Sequence, residues 1–306
     1  MSVQLSQVTG DAMNYQIGKK PYEWPGGAPL ALSVVLNVEE GAEANILDGD
    51  KYPEPVDEMG IALKRSVRNH GNESNYRYGL TRGGPRVMRL FEQYGIRATI
   101  TACALALERA PELAREIMRQ GHEVTSHGYR WAHQFHMDEA QERDYIRKAV
   151  ASLEKTTGRK PQGWLSRYLL TDHTRRLLCE EGFLYHMDDY GDDEPRWEAI
   201  DGKPIVILPY QVDNNDMKMW SAPAYSPEQW LKYAIDNLEW MIAEGAHEVN
   251  MMSLGLHMRI IGRPGRVWAL EKFLSHAAAR AQQGQVWLAT REEIARHFAS
   301  QVPWRG

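Results

Sequence analysis

The sequence predicts an α/β protein folded as a parallel (β/α) barrel. About eight strand-like apolar segments alternate with helix-like segments, and such alternation needs crossover helices between parallel strands. The first segment, Leu30–Val38, is a β-rich apolar run, as in a strand buried on both faces. A length of 306 residues suits one large barrel-type domain. A closed sheet leaves no edge strand to protect, which favours the barrel over the alternative, a doubly wound open sheet.

Taken in order, Pro21, Pro25, Gly26 and Gly27 mark a loop-like N-terminal arm over residues 1–28. Within it Met1–Tyr15 is polar and lacks the apolar region of a signal peptide. A helical stretch at Gly84–Tyr94 precedes the second strand, Arg97–Cys103. Pro111 stands at the first-turn position of a helix that runs to Gln120 and stops at Gly121. His122–Ser126 reads as a short strand, and Asp138–Thr156 as a long helix rich in i,i+4 charge pairs. Gly163–Leu165, Phe183–Met187, Ile205–Tyr210, Val249–Leu256 and Val286–Ala289 are the later strands. Thr171–Glu181, Glu228–Ala243, Gly265–Arg280 and Arg291–Phe298 are the later helices. The rhythm breaks between Glu40 and Gly83, where periodicity is weak over a length unusual for a bare connection. Residues 41–83 are therefore read as an insertion in a single domain spanning 1–306. The insertion either packs on the surface or at a subunit contact, or forms a lid over the barrel mouth.

Composition narrows the function class. The hydrophobic share is 43% and the charged share 25%, as in a soluble globular protein. No apolar stretch approaches the roughly 18–20 residues of a membrane span. A net charge of −5 without a basic block argues against nucleic acid as a partner. Cys103 and Cys179 lie far apart inside apolar patterns, so a disulfide framework is not expected and the reducing cytoplasm is.

In a barrel the C-terminal ends of the strands, with the loops after them, build the active site. That rule selects Val38-Glu39-Glu40-Gly41, Ser126-His127-Gly128-Tyr129-Arg130-Trp131, Ser166 with Arg167, Asp213-Asn214-Asn215-Asp216, and His257 with Arg259 and Arg263. Glu39 and Glu40 at the end of an apolar strand are costly if both are buried and ionised. If they are buried, one should have a raised pKa, the usual preparation for a general acid or base; if not, they are solvated loop residues. A lone His at a strand end is commonly structural. His127 and His257 at two strand ends, with a carboxylate pair at a third, point instead to a site. The run Asp188–Asp193 reads as an ordinary acidic loop. Phosphate loops, GxSxG elbows and HExxH helices are absent.

Several stretches together resemble a known family. They are Leu36-Asn37-Val38-Glu39-Glu40-Gly41, Asn45-Ile46-Leu47-Asp48-Gly49-Asp50, Ser126-His127-Gly128-Tyr129-Arg130-Trp131, Asp213-Asn214-Asn215-Asp216-Met217, and Gly255-Leu256-His257-Met258-Arg259 running on to Pro264. The order and spacing resemble the polysaccharide deacetylase superfamily of the NodB type, and within it the metal-independent allantoinase and cyclic imide hydrolase branch.

The resemblance implies a deformed (β/α) barrel of seven to eight strands and a hydrolase of carbon–nitrogen bonds that opens a cyclic amide, imide or ureide. It implies Glu39, Glu40 and His257 as catalytic residues. His127, Trp131, Arg167, Asn215, Asp216 and Arg259 would bind substrate. In metal-dependent members an Asp pair and a His-x3-His pair serve the metal; here Glu39 and Glu40 take the Asp places and Trp131 the second His place. No cofactor is therefore expected. If a divalent metal such as zinc is bound, Glu40 and His127 are its ligands. The Arg-bearing loop, Gly163-Trp164-Leu165-Ser166-Arg167-Tyr168-Leu169-Leu170-Thr171, gives an apolar rim and favours a ring less polar than allantoin. The alternatives are a metal-dependent deacetylase of N-acetylated sugars and an inactive ligand-binding barrel. The expected partners are a small cyclic amide substrate and copies of the chain itself in a homodimer or homotetramer.

Overall fold

The computed structural model describes residues 20–305, so Met1–Tyr15 and most of the expected arm lie outside the described residues. Nine strands form one sheet: β1 Leu30–Val38, β2 Thr99–Ala102, β3 Glu123–Ser126, β4 Gly163–Trp164, β5 Tyr185–His186, β6 Arg196–Ile200, β7 Lys203–Ile207, β8 Asn250–His257 and β9 Val286–Leu288. The order is β6-β7-β5-β4-β3-β2-β1-β8, with every pair parallel except β6–β7. β9 pairs with β1 along Leu30–Leu32, while β2 pairs with Val35–Val38. The expected deformed barrel is the fold observed.

All nine residues of β1 and all eight of β8 are buried, which is why both read as mainly apolar runs. Helices cover the outside, and several start where the sequence supplies reciprocal caps. Asp138 with Gln141, Ser226 with Gln229 and Thr290 with Glu293 each satisfy two otherwise orphaned backbone donors. Among the described residues no helix is long and apolar enough to cross a membrane.

The curled sheet is not closed by a continuous ladder. Between β7 and β8 it is stitched by the strip 208–215. Gln211 N donates to Ser253 Oγ at 2.8 Å, Gly255 N donates to the Asn214 carbonyl at 3.3 Å, and Asn215 forms a parallel bridge with Gly255. β6 was not expected from the sequence. It makes a hairpin with β7 turned at Asp201 and Gly202, both with positive φ (51° and 75°), as an Asp-Gly turn of this kind requires.

The segment 41–83 is folded, not structureless. It contains the helix His70–Tyr78, a π-turn at Gly79–Gly83 and a short 3₁₀ turn at Ile46–Asp48. Ion pairs dock its start: Asp48 meets Arg109 at 2.7 Å and Asp50 meets Arg130 at 2.6 Å. Asn72 Nδ2 donates to the carbonyls of Glu54 and Val56, both at 3.1 Å, and holds the strap Glu54–Val56 in place. The π-turn then passes against the chain after β8 with no room for a side chain. A Cβ on Gly83 would lie 2.0 Å from the Met258 carbonyl oxygen, and one on Gly262 would lie 2.3 Å from Gly83 Cα. Gly83→Ala therefore has to push two backbones apart. It is expected to cost about 1–3 kcal/mol, read as a fall of a few degrees in the melting temperature, whereas Gly265→Ala, with open space around it, leaves the melting temperature unchanged.

Candidate active site

β1 delivers Glu39 to the floor of a cavity of about 540 Å³. His127, after β3, and His257, the last residue of β8, line the same cavity. Glu39 Oε1 lies 3.4 Å from His127 Nε2 and 3.4 Å from His257 Nε2. Three strand ends separated in sequence by up to 218 positions thus converge on one carboxylate oxygen.

Each histidine is aimed by its other ring nitrogen. His127 Nδ1 is 2.7 Å from the Leu165 carbonyl, which can only accept, so Nδ1 carries a proton. His257 Nδ1 is 2.7 Å from Asp216 Oδ1, and Asp216 is itself fixed by the backbone N–H groups of His257 and Ile261. Burial disfavours charge on His257, but the carboxylates of Glu39 and Asp216 outweigh it, and the pKa is pushed up to about 9. Burial likewise opposes ionisation of Glu39. The Arg259 guanidinium and the two histidines overcome that and hold its carboxyl well below the usual range. Near neutral pH the site therefore holds an anionic Glu39 beside a cationic His257.

Glu40 plays a different part. It is fully buried, does not line the cavity and packs on Gly79 of the π-turn, where a Cβ would come within 2.5 Å of Glu40 Oε1. Burial raises its pKa; Arg259 opposes the shift and the charge of Glu39 adds to it. Of the pair, Glu39 is the one placed for chemistry.

Four expected substrate-binding residues turn out to be occupied by the protein itself. Arg259 is fully buried behind the carboxylates, with Nη2 at 2.7 Å from Glu39 Oε2 and Nη1 at 3.5 Å from Glu40 Oε1, and lies over the Tyr76 ring at 4.3 Å. Asp216 is fully buried and spends its oxygens on His257 and Ile261. Arg167 lines the cavity, but its guanidinium is a bidentate partner of buried Glu54 (3.0 and 2.5 Å) and also donates to the Trp131 carbonyl. Asn215 lines the cavity too, with its amide committed to Tyr210 and to the Met217 backbone. Their sequence neighbourhoods mark the site; their side chains build its scaffold.

Trp131 and His127 do face the cavity as expected, Trp131 with Arg167 stacked on its ring at 3.7 Å. Tyr168 and Tyr190 stack at the mouth with centroids 6.4 Å apart, and Tyr168 takes a positive φ of 61°. Such backbone strain in a non-glycine residue is commonly kept at functional sites. In the acidic run, Asp188 departs from a solvated loop: it is buried, accepts from Ser166 N at 2.7 Å and meets His186 Nε2 at 2.6 Å. Sequence reasoning did not single out Glu54, Tyr76 or Tyr210. Pro53-Glu54-Pro55, a charge clamped between two prolines, and Asn37, a polar residue inside the apolar first strand, were the available signals.

The donor set does not fit a hydrolytic metal. Such sites use three protein ligands and an open position. Glu40 and His127, the pair expected to ligate if a metal is bound, do not converge, since Glu40 faces Arg259. Among the described residues no group of three or more His, Cys, Asp or Glu side chains is arranged to hold a metal ion. The guanidinium of Arg259 already supplies the positive charge beside Glu39.

The sequence profile of the family described as "Polysaccharide deacetylase" matches residues 75–181. A "Putative polysaccharide deacetylase" of Schizosaccharomyces pombe is 32% identical over 304 residues, covering 92% of this chain and 94% of that protein. The chain belongs to the polysaccharide deacetylase family. It is accordingly a hydrolase of the class that acts on carbon–nitrogen bonds. Among solved structures, a "probable polysaccharide deacetylase" from Pseudomonas aeruginosa PAO1 matches with a TM-score of 0.88 and 41% identity, over 94% of this chain and 96% of that one. PuuE allantoinase matches with a TM-score of 0.89 and 41% identity, over 98% and 99%.

The charges on Glu39 and His257 make stability depend on pH in opposite senses. His257 binds its proton more tightly folded than unfolded. Its contribution is complete below its unfolded pKa near 6.5 and is lost as pH rises through about 9. Glu39 contributes above its unfolded pKa near 4.5 and loses this as pH falls below it. The melting-temperature advantage of the wild type over His257→Gln should therefore shrink between pH 6.5 and pH 9 or above; an advantage that stays constant over that range would contradict the charged pair.

Proposed function

We propose that the protein hydrolyses a cyclic amide, imide or ureide ring, in the manner of an allantoinase or cyclic imidase, without a catalytic metal. The observation that carries this reading is the arrangement Arg259–Glu39–His257–Asp216 at one end of a small, partly covered cavity. The strap residues Pro55 and Val56 wall that cavity, and Trp131, Leu165, Tyr168 and Tyr190 give it an apolar, aromatic lining. A volume of about 540 Å³ and flat aromatic walls suit a small planar ring better than an extended sugar polymer. The 41% identity with PuuE allantoinase over nearly the whole of both chains supports a ring-opening activity.

Ionised Glu39 takes a proton from a water molecule as the water oxygen adds to the ring carbonyl carbon. His257, charged at neutral pH, gives its proton to the ring nitrogen as the C–N bond breaks, and Asp216 steadies the imidazole through the transfer. The product is an open chain carrying a new carboxylic acid and the freed nitrogen. Water is the only co-reactant. Arg259 sets the charge of Glu39 from behind; His127 approaches Glu39 Oε1 from the other side.

The test is a turnover screen over succinimide, hydantoin, allantoin, dihydrouracil and N-acetylglucosamine oligomers, with and without chelator. Turnover of a ring, unaffected by chelator, is the expected result. Turnover of the acetylated sugar, lost to chelator, would establish the metal-dependent deacetylase instead, and turnover of nothing would leave an inactive binding barrel. On the ring that is turned over, Glu39→Gln and His257→Ala should each lower the rate by about 10²–10⁴. Because the base must be ionised and the acid protonated, kcat should fall as pH rises through about 9.

The reading includes a cytoplasmic protein, supported by the free thiols of Cys103 and Cys179, and a homodimer or homotetramer. Exposed Leu47, Met59, Ile61 and Val67 on the inserted segment support self-association. Light scattering should give a multiple of 35.0 kDa; a single species of that mass at micromolar concentration would remove the oligomer.

A further inference from the structure

We propose that the Tyr210 hydroxyl donates the hydrogen bond that receives the scissile carbonyl oxygen as negative charge grows on it. This role rests on the ring-opening reading above. Tyr210 lies on the strip that stitches β7 to β8, lines the cavity and is 4% exposed. Its oxygen is 3.0 Å from Asn215 Nδ2 and 3.4 Å from Asn37 Nδ2. Both amides are pinned in the orientation that makes these nitrogens donors. Asn215 Oδ1 accepts from the backbone N–H of Met217, which can only donate. Asn37 Nδ2 also donates to the Leu256 carbonyl, which can only accept, while its Oδ1 accepts from Thr101. The phenol oxygen is thus an acceptor in both contacts and its proton is not used in either. Among the described residues no acceptor takes that proton.

The surroundings hold the hydroxyl in the cavity that Glu39 and His257 line. Asn37 of β1 is the register partner of His257 on β8. Gly255 precedes His257 by two residues and therefore shares its face of the strand, roughly 7 Å away along the chain. A Cβ on Gly255 would sit 2.1 Å from Tyr210 Oη and 2.7 Å from Asn215 Nδ2, so the absence of a side chain there admits the phenol to the strand face that His257 shares. The buried guanidinium of Arg291 grips the carbonyls of Leu208 and Pro209, each at 2.6 Å, and fixes the chain just before Tyr210. Burial pushes the phenol up to about 12, so it keeps its proton through the working pH range. The two guanidinium groups nearest the site are occupied, Arg259 by Glu39 and Glu40 and Arg167 by Glu54. A preorganised neutral donor fills that need.

The experiment is steady-state kinetics of wild type and Tyr210→Phe on the ring that the screen identifies, with melting temperatures. Loss of an oxyanion donor predicts a fall in kcat of about 10²–10³ with KM nearly unchanged. A purely structural tyrosine would lower the melting temperature and leave kcat of the folded fraction within about threefold, which overturns the role. If the Phe variant does not fold, a polyfluorinated tyrosine placed at 210 keeps the shape and hydroxyl but ionises at lower pH. With enough fluorine to bring its ionisation below that of His257, which sets the alkaline limb near 9, the limb of kcat should move to lower pH; an unmoved limb overturns the role. Ring turnover with kcat retained in Tyr210→Phe removes this role alone. Turnover of N-acetylated sugar only, with kcat lost in Tyr210→Phe, keeps the donor and removes the ring-opening reading. No turnover of either removes both.

Discussion

The site depends on keeping one carboxylate ionised where almost no water reaches it. Glu39 is 1% exposed, and a lone carboxylate so placed would take up a proton. Arg259, fully buried at 2.7 Å, and the two histidines at 3.4 Å make the anion the stable form. Removing one partner of a buried pair of this kind costs about 3–5 kcal/mol, so charge, fold and reactivity are tied together. Arg259 is in turn stabilised by the face of Tyr76 and, further off, by the rings of Trp131 and Trp220. The inserted segment supplies Tyr76, so it takes part in the electrostatics of the barrel floor as well as covering the mouth.

The same logic explains why so many charged residues at the site are turned away from it. Arg167 and Glu54 neutralise each other and pin the strap, and Asp216 is spent on orienting His257. What faces the cavity is Glu39 with His257 and His127, set in an aromatic wall where Arg167 is already neutralised by Glu54. Such a surface stabilises charge that develops during reaction without binding a charged ground state tightly, the condition under which binding energy lowers a barrier.

The family relation and the site geometry carry different parts of the assignment. Relatives near 41% identity over almost the full chain share the fold and the hydrolase class. The proposed ring opening rests instead on particular side chains: Trp131 on the cavity wall, Glu39 between two histidines, and the Arg259 guanidinium beside Glu39.

Much of the fold was legible in the sequence because it is written in local pattern. Leu30–Val38 reads as a buried strand since all nine residues are buried and most are apolar, and the capped helices announce their own starts. Glu39, His127 and His257 could be selected because a parallel barrel places strand ends at one mouth. The Asp201-Gly202 pair is itself a hairpin signal in the sequence. The division of labour within the site was not legible: whether Glu39 or Glu40 faces the cavity, or whether Arg167 meets substrate or Glu54, depends on distances of a few ångströms between residues up to 220 positions apart. Sequence by itself determines which elements form and which strand ends meet, because those follow from periodicity and from sterics common to all parallel barrels. Only the tertiary structure decides which buried charge is paired with which, because that balance of desolvation against Coulomb attraction is set by packing across the whole barrel.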